Sequence, residues 1–346
     1  MFNSNEIGLQ WKGSLENLST VPRAKCAILD STGSLKDING KERCKMIIEE
    51  TVADNTLGKL VWVKHSIGSI TTDILVKKPI SQKHAKQEAV IQWLVNKSLS
   101  ENGLGEHCPK VIDIFSFSGS IWFSMEPIYS APILDTYLQT LPSWSKKSKE
   151  NGFTLINIIA QIALSCIVLE RRIGFNHRDL KPDNILVKLD SFKPRSLQFL
   201  NEYDIHIAPS FTAIIVDYGF SCLGPGKVPW IQSGDGILPP FDACPKVGRN
   251  IFMILVFLLW QKDVRNSLID EHLEFFKTSL RLSTDRLAQM MNMNKNPSDW
   301  IYILITERGF QCPALDPLVW LKTCAITFPE VVIFRPIVPI IPNIPK

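Results

Sequence analysis

His177-Arg178-Asp179-Leu180-Lys181-Pro182-Asp183-Asn184 stands between two apolar stretches. Upstream, Leu155–Ile173 is apolar almost all round, which predicts a buried helix with Gly174 at its C-cap. Downstream, Ile185-Leu186-Val187 predicts a short buried strand. Asp183-Asn184 alone would read as a turn before that strand. A turn does not call for a second aspartate, an arginine and a lysine between two core elements. Further along, Ala213–Val216 predicts another short apolar strand, and Asp217-Tyr218-Gly219 follows it directly. By itself Asp-Tyr-Gly is an ordinary turn. At the end of a core strand, downstream of the first stretch, it places a further carboxylate beside the same core.

The first stretch matches the pattern H-R-D-L-x-x-x-N at every specified position, and Lys181 and Pro182 extend the match. On these residues the chain resembles the eukaryotic-type protein kinase superfamily in its serine/threonine form. The resemblance implies an α+β, two-lobed protein-kinase-like fold: a small antiparallel-sheet N-lobe with one main helix, and a larger, mostly helical C-lobe. It implies ATP and Mg²⁺ as cofactors and a protein substrate with a serine or threonine acceptor. Asp179 would accept the hydroxyl proton and Lys181 would stand by the transferred phosphate. Asn184 and Asp217 would be the metal ligands, oxygen donors of the kind Mg²⁺ prefers. Tyr218 replaces the family's usual phenylalanine and keeps an aromatic ring. Asn184 and Asp217 are 33 residues apart, longer than the family usually shows, and the excess is the polar stretch 190–210, read as an inserted loop.

Short strands are predicted at Lys45–Thr51, Leu60–His65 and Thr71–Lys78, an antiparallel meander, followed by a helix over about His84–Leu99 with Ser81 as a possible cap. Ile74-Leu75-Val76-Lys77 is similar to the family's V-A-I-K strand, so Lys77 would reach the nucleotide phosphates, with Lys78 on the opposite face. Glu88, the one acid on the predicted helix, would pair with Lys77. One turn on stands Gln92, where the family usually packs an apolar residue. Strands at Val111–Phe117 and Ile121–Glu126 are joined by Ser118-Gly119. Phe123–Ile128 resembles the family's connecting segment: Met125 would close the rear of the nucleotide pocket, and the Glu126 carbonyl and Ile128 amide would meet adenine. Asp135 is read as a cap of the next helix. Val247–Gln261 predicts a second buried helix and Leu268–Met291 an amphipathic one.

Several family features are missing. The connection Val52–Lys59 holds only Gly58 where the resemblance implies a glycine-rich phosphate cover. Residues 221–240 contain no threonine or tyrosine, and no A-P-E closes them. Arg178 would then lack an activating phosphate. Asn250 falls where the family has an aspartate bracing the catalytic loop. Divergence of this kind is similar to that of kinases of large DNA viruses. It keeps two alternatives in view, a pseudokinase acting as a scaffold and, behind it, a small-molecule kinase.

The chain has 346 residues, a net charge of +4 and 21% charged residues, the composition of a folded protein with no sign of a nucleic-acid or membrane surface. The domain plan is an N-terminal extension over 1–43, an N-lobe over 44–126, a C-lobe over 127–330 with the insertion at 190–210, and a proline-bearing apolar tail over 331–346. No C-x-x-C occurs among the eight cysteines, which are expected to be reduced and mostly buried. No targeting signal or transmembrane segment is predicted. The expected location is intracellular and cytoplasmic, in a host cell or virion if the protein is viral.

Overall fold

The computed structural model describes residues 27–37, 39–55, 58–82, 84–199, 203–224, 231–232, 246–306 and 316–336. Its first part is built on seven strands: β1 (Ala27–Leu29), β2 (Ser34–Lys36), β3 (Glu42–Asn55), β4 (Gly58–Ile67), β5 (Ile70–Pro79), β6 (Val111–Phe117) and β7 (Ser120–Met125). They close into a barrel in the order β1-β2-β3-β4-β5-β7-β6. Every pairing is antiparallel except that of β1 with β6, which is parallel, with Ala27 opposite Phe115 and Ile28 opposite Ser116.

This corrects the expected fold. The sheet is a closed, mixed, seven-stranded barrel, which does not match a two-lobed kinase-like fold with an antiparallel-sheet N-lobe. The physical reason lies in β1 and β2. Each is three residues long, too short for an alternating pattern to be read. Both come from the stretch expected to be an N-terminal extension. Their pairing with β6 and β3 leaves the barrel without an open edge.

Strand alternation divides the barrel side chains into two sets. Val61 and Val63 of β4 and Ile74 and Val76 of β5 fill the interior with Leu35 and Phe115. Leu60, Leu75 and Phe123 face outward and pack against Ala89 of helix α1 (Ala85–Ser100). Lys77 has the parity of Leu75, so it is carried to the α1 side. Lys78 has the other parity, and its ammonium sits over the Trp122 ring at 5.7 Å, as the alternation predicted.

Eight more helices follow, nine in all among the described residues: α2 (Leu134–Thr140), α3 (Lys149–Arg172), α4 (Arg249–Trp260), α5 (Lys262–Ser267), α6 (Asp270–Leu280), α7 (Thr284–Met291), α8 (Ser298–Thr306) and α9 (Pro317–Thr327). α3 starts where the Ser148 side chain accepts the Glu150 N–H. By length and composition α3 could cross a membrane, but 89% of its most apolar window is buried inside the fold. Its apolar surface is thus satisfied by other parts of the chain, chiefly α9 and the strand Tyr203–Ile215. The single helix expected over Leu268–Met291 is two helices. Arg281 turns left-handed at φ 48, and the Ser283 hydroxyl caps α7 through the Arg286 N–H.

The expected inserted loop over 190–210 is also corrected. Strands β8 (Ile185–Phe199) and β9 (Tyr203–Ile215) form a long hairpin across it, and β12 (Val332–Pro336) adds to β9. Its polar sequence hides the strands from a reading based on apolar alternation. β12 comes from the start of the proline-bearing tail, and residues 337–346 lie outside those described. Strands β10 (Cys222–Leu223) and β11 (Ile231–Gln232) form a small ribbon. Residues 225–230 and 233–240 of the unusual segment 221–240 are outside the described residues. Cys44, Cys108, Cys166 and Cys324 are buried free thiols, as expected. Cys222 departs from the expectation, because it is disulfide-bonded.

Candidate active site

Lys77 organises the site. Its ammonium lies 2.7 Å from Glu88 Oε1 and 2.8 Å from Asp217 Oδ1. Three elements meet in that contact: β5, α1 and the end of β9. Register places Lys77 opposite Leu60 of β4 and Phe123 of β7, so its stem is enclosed on both sides. Glu88 lies in the first turn of α1 and is buried. Burial alone would lower the lysine, but the two carboxylates outweigh it and hold the ammonium well above its ordinary value. For Asp217, burial pulls upward and the Lys77 charge more than compensates, so its carboxyl is held below the usual carboxylate range.

Asp217 has φ 63, an uncommon backbone for a residue with a side chain. The strained conformation aims its carboxylate back at Lys77. Gly219 packs closely beside it: a Cβ there would lie 3.3 Å from Asp217 Oδ1 and 3.7 Å from Glu88 Oε2. Tyr218 points into the core and donates its hydroxyl to the Ile215 carbonyl at 2.9 Å.

Asp179, Lys181 and Asn184 form the second group. Lys181 Nζ is 3.0 Å from Asp179 Oδ2. The Asn184 amide donates to the Asp179 carbonyl at 2.7 Å and to Asp179 Oδ2 at 3.1 Å. A 3-10 turn over Pro182–Asn184 brings the asparagine back to the aspartate. Arg178 is buried, also with positive φ.

The loop holding these residues is tied to the core below it. The His177 N–H donates to Asn250 Oδ1 at 2.9 Å, and Asn250 Nδ2 donates to Glu170 Oε1 at 3.1 Å. Asn250 thus fills the bracing place expected of it. Glu170 is buried among neutral donors, and burial pushes its carboxyl up to about 8. His177 Nε2 donates to the Val216 carbonyl at 3.0 Å, next to Asp217. Its burial holds the imidazole below its ordinary value, hence neutral. Asn176 exchanges backbone hydrogen bonds with Cys222 and side-chain bonds with Lys246. Glu170 and Asn176 were not among the predicted residues. Glu170 ends an apolar helix beside Arg171 and Arg172, and nothing in that pattern separates it from a solvated helix end.

A cavity of about 310 Å³ joins the groups. Its walls include Lys77, Met125, Glu126, Ile128, Asn184 and Asp217, with Leu60, Leu75, Leu186 and Val216 as apolar surfaces. The volume suits a small ligand. Glu88 and Asp179 stand just behind this wall, bonded to Lys77 and Asn184 respectively. The Glu126 N–H is used by the Lys110 carbonyl at 2.9 Å. Among the described residues, the Glu126 carbonyl and the Ile128 N–H make no hydrogen bond. Asn184 Oδ1 and Asp217 Oδ2 likewise accept none. These are two hard oxygen donors of the kind Mg²⁺ takes, although among the described residues no group of three or more His, Cys, Asp or Glu side chains is placed to hold a metal ion. At the mouth, Gly58 has φ 121, and a Cβ there would come 2.5 Å from the Lys78 carbonyl. The connection can therefore hold no other residue at that place without moving.

Asp135 does not cap its helix. The cap position is Ile133, and Asp135 Oδ1 accepts from Gln261 Nε2 at 2.9 Å. It borders a larger hollow of about 1170 Å³ between α2 and α5 that contains none of the predicted catalytic or nucleotide-contacting residues. Compared with family models and with curated proteins, the chain has no match.

Proposed function

We propose that this chain is an ATP- and Mg²⁺-dependent protein kinase that phosphorylates serine or threonine hydroxyls. The observation that carries the reading is the double contact of Lys77 with Glu88 and Asp217. Residues 140 positions apart in sequence meet at one ammonium, on the wall of a cavity that also holds Glu126, Asp183 and Asn184. A structural ion pair would not need a strained aspartate, nor two unused oxygens beside it.

Lys77 would neutralise phosphate charge at the cavity's polar end, where Glu88 holds it in place. The apolar walls would take the adenine, and the Glu126 carbonyl and Ile128 N–H would pair with its edge. Asn184 and Asp217 would hold Mg²⁺, which supplies charge neutralisation of the phosphates when bound. Asp179 would accept the proton of the acceptor hydroxyl as its oxygen bonds to the γ-phosphorus and the bond to the β-phosphate oxygen breaks, with ADP leaving. Lys181, held on Asp179, would place a cation by the transferred group.

The test is transfer of labelled γ-phosphate to a generic protein substrate. Asp179→Asn should lower transfer by about 10²–10⁴-fold while the melting shift caused by Mg²⁺-ATP is kept. Equal incorporation by wild type and variant would end the proposal. A melting shift without transfer in the wild type would instead leave a nucleotide-binding scaffold.

A further inference from the structure

The rear of the cavity carries a polar side chain that the proposed reaction does not use. Gln92 lies one turn beyond Glu88 on α1, is 3% exposed, and lines the cavity with Met125. The protein orients its amide. Nε2 donates to the Pro109 carbonyl at 3.0 Å and lies 3.7 Å from Met125 Sδ. Turning the amide end for end would set its oxygen against the Pro109 oxygen, so the orientation is decided by the partner. Oε1 is the remaining end. Among the described residues it accepts no hydrogen bond, and it is not one of the sealed polar atoms that lack a partner. A side-chain oxygen on a cavity wall that is neither bonded nor sealed is an acceptor open to a ligand.

We infer that Gln92 determines base specificity, selecting a 6-amino purine nucleotide over a 6-oxo purine nucleotide. The inference rests on the nucleotide-binding reading given above. An exocyclic amine has two hydrogens, one for the Glu126 carbonyl and one for an acceptor deeper in the pocket. A 6-oxo group has only lone pairs to offer there. It would meet the Gln92 oxygen acceptor against acceptor, and the bond to Pro109 keeps the amide from flipping to donate. Sites that hold an oriented hydrogen-bonding group reject a ligand unable to complete the pair far more strongly than sites that sense shape alone.

The experiment compares binding of Mg²⁺-ATP and Mg²⁺-GTP to the full chain by calorimetry, for wild type, Gln92→Leu and Gln92→Glu. Wild type should prefer ATP by about tenfold or more. Gln92→Leu should bring the two nucleotides within about threefold, chiefly by improved GTP binding. Gln92→Glu, protonated in this buried place so that its O–H donates to the Pro109 carbonyl, keeps its other oxygen as an acceptor and should keep the preference. Gln92→Met takes the place of the leucine variant if that one does not fold. An unchanged preference in the leucine or methionine variant overturns the inference and leaves nucleotide binding standing. Loss of preference in Gln92→Glu also overturns it, since packing and not the acceptor would then be at work. A wild type that binds neither nucleotide overturns both this inference and the reading beneath it.

Discussion

The barrel and the helical core are assembled from similar apolar residues but bury them differently. The barrel interior is one small cluster around Leu35, Val61 and Phe115. Ile47 on its outer face, and Ile67 and Ile70 at the β4–β5 hairpin, remain 62%, 58% and 68% exposed. The helical core is a single large cluster in which α3 and α4 are covered on nearly every side. The two halves of the site inherit that difference. Asp179, Asn184 and Asp217 stand on the large core, and the Glu170–Asn250–His177 chain of hydrogen bonds anchors their loop. Lys77 comes from the barrel, and its ammonium reaches the other half through Asp217. The more deeply supported half is the one whose groups the proposed chemistry needs placed most accurately.

The most severe test of this contrast is to cut the same side chain in both regions. Ile159→Ala on α3 should cost about 4 kcal/mol, because its surroundings cannot collapse. Ile74→Ala in the barrel should cost about 2 kcal/mol, since a smaller cluster relaxes more easily. Denaturant melts of the two variants decide it, and equal losses would erase the distinction.

Next in size is the bridge between the regions. Lys77→Met leaves Glu88 and Asp217 facing each other without a cation and should destabilise by about 2–3 kcal/mol at neutral pH. Adding Glu88→Leu should recover a large part. The pH dependence gives a second readout. The Asp217 carboxyl is held below its ordinary 3.8 in the folded state. Its contribution is therefore complete above that ordinary value and is lost as pH falls through the depressed one. Lys77→Met should remove this acid-side loss, which an acid titration of melting temperature would reveal.

A smaller effect is expected within the anchored half. Glu170 keeps its proton in the folded state up to about pH 8, whereas its ordinary value is 4.5. Stability linked to it is full below 4.5 and declines as pH rises towards 8. Glu170→Gln removes the titration, at the cost of one acceptor, since Oε1 accepts from Asn250 Nδ2 and Oε2 from the Gly248 N–H. It should flatten that slope. A variant with the same slope as wild type would show that another group sets it. At the bottom of the scale, Asp270→Asn removes an exposed ion pair with Lys147 and should leave the melting temperature unchanged.

Much of the candidate site was legible because its residues sit in short, contiguous patterns. Each pattern ends an element that apolar periodicity reveals. Lys77 follows three strand residues and Asp217 ends a buried strand. Asn184 precedes one, so their placement needed only the strand and helix periods. Glu88 was legible as the one acid on its helix. Gln92 drew attention as a polar residue at an apolar place, but its orientation depends on Pro109, 17 residues away. Glu170 left no signal, since burial of a helix-end carboxylate is set by what packs over it.

The sequence by itself determined the strands and helices around the cavity, the inward and outward faces of β5, and which carboxylates, cations and amides stand at their ends. These follow from local periods of two and 3.6 residues, which neighbours in the chain express alone. Only the tertiary structure decided that the sheet closes, that the polar stretch after Leu189 becomes a hairpin covered by β12, and that Lys77, Glu88 and Asp217 meet. Those outcomes depend on hydrogen bonds and charges between residues far apart in sequence. Three-residue strands and a polar ribbon hold no local pattern from which such pairings can be read.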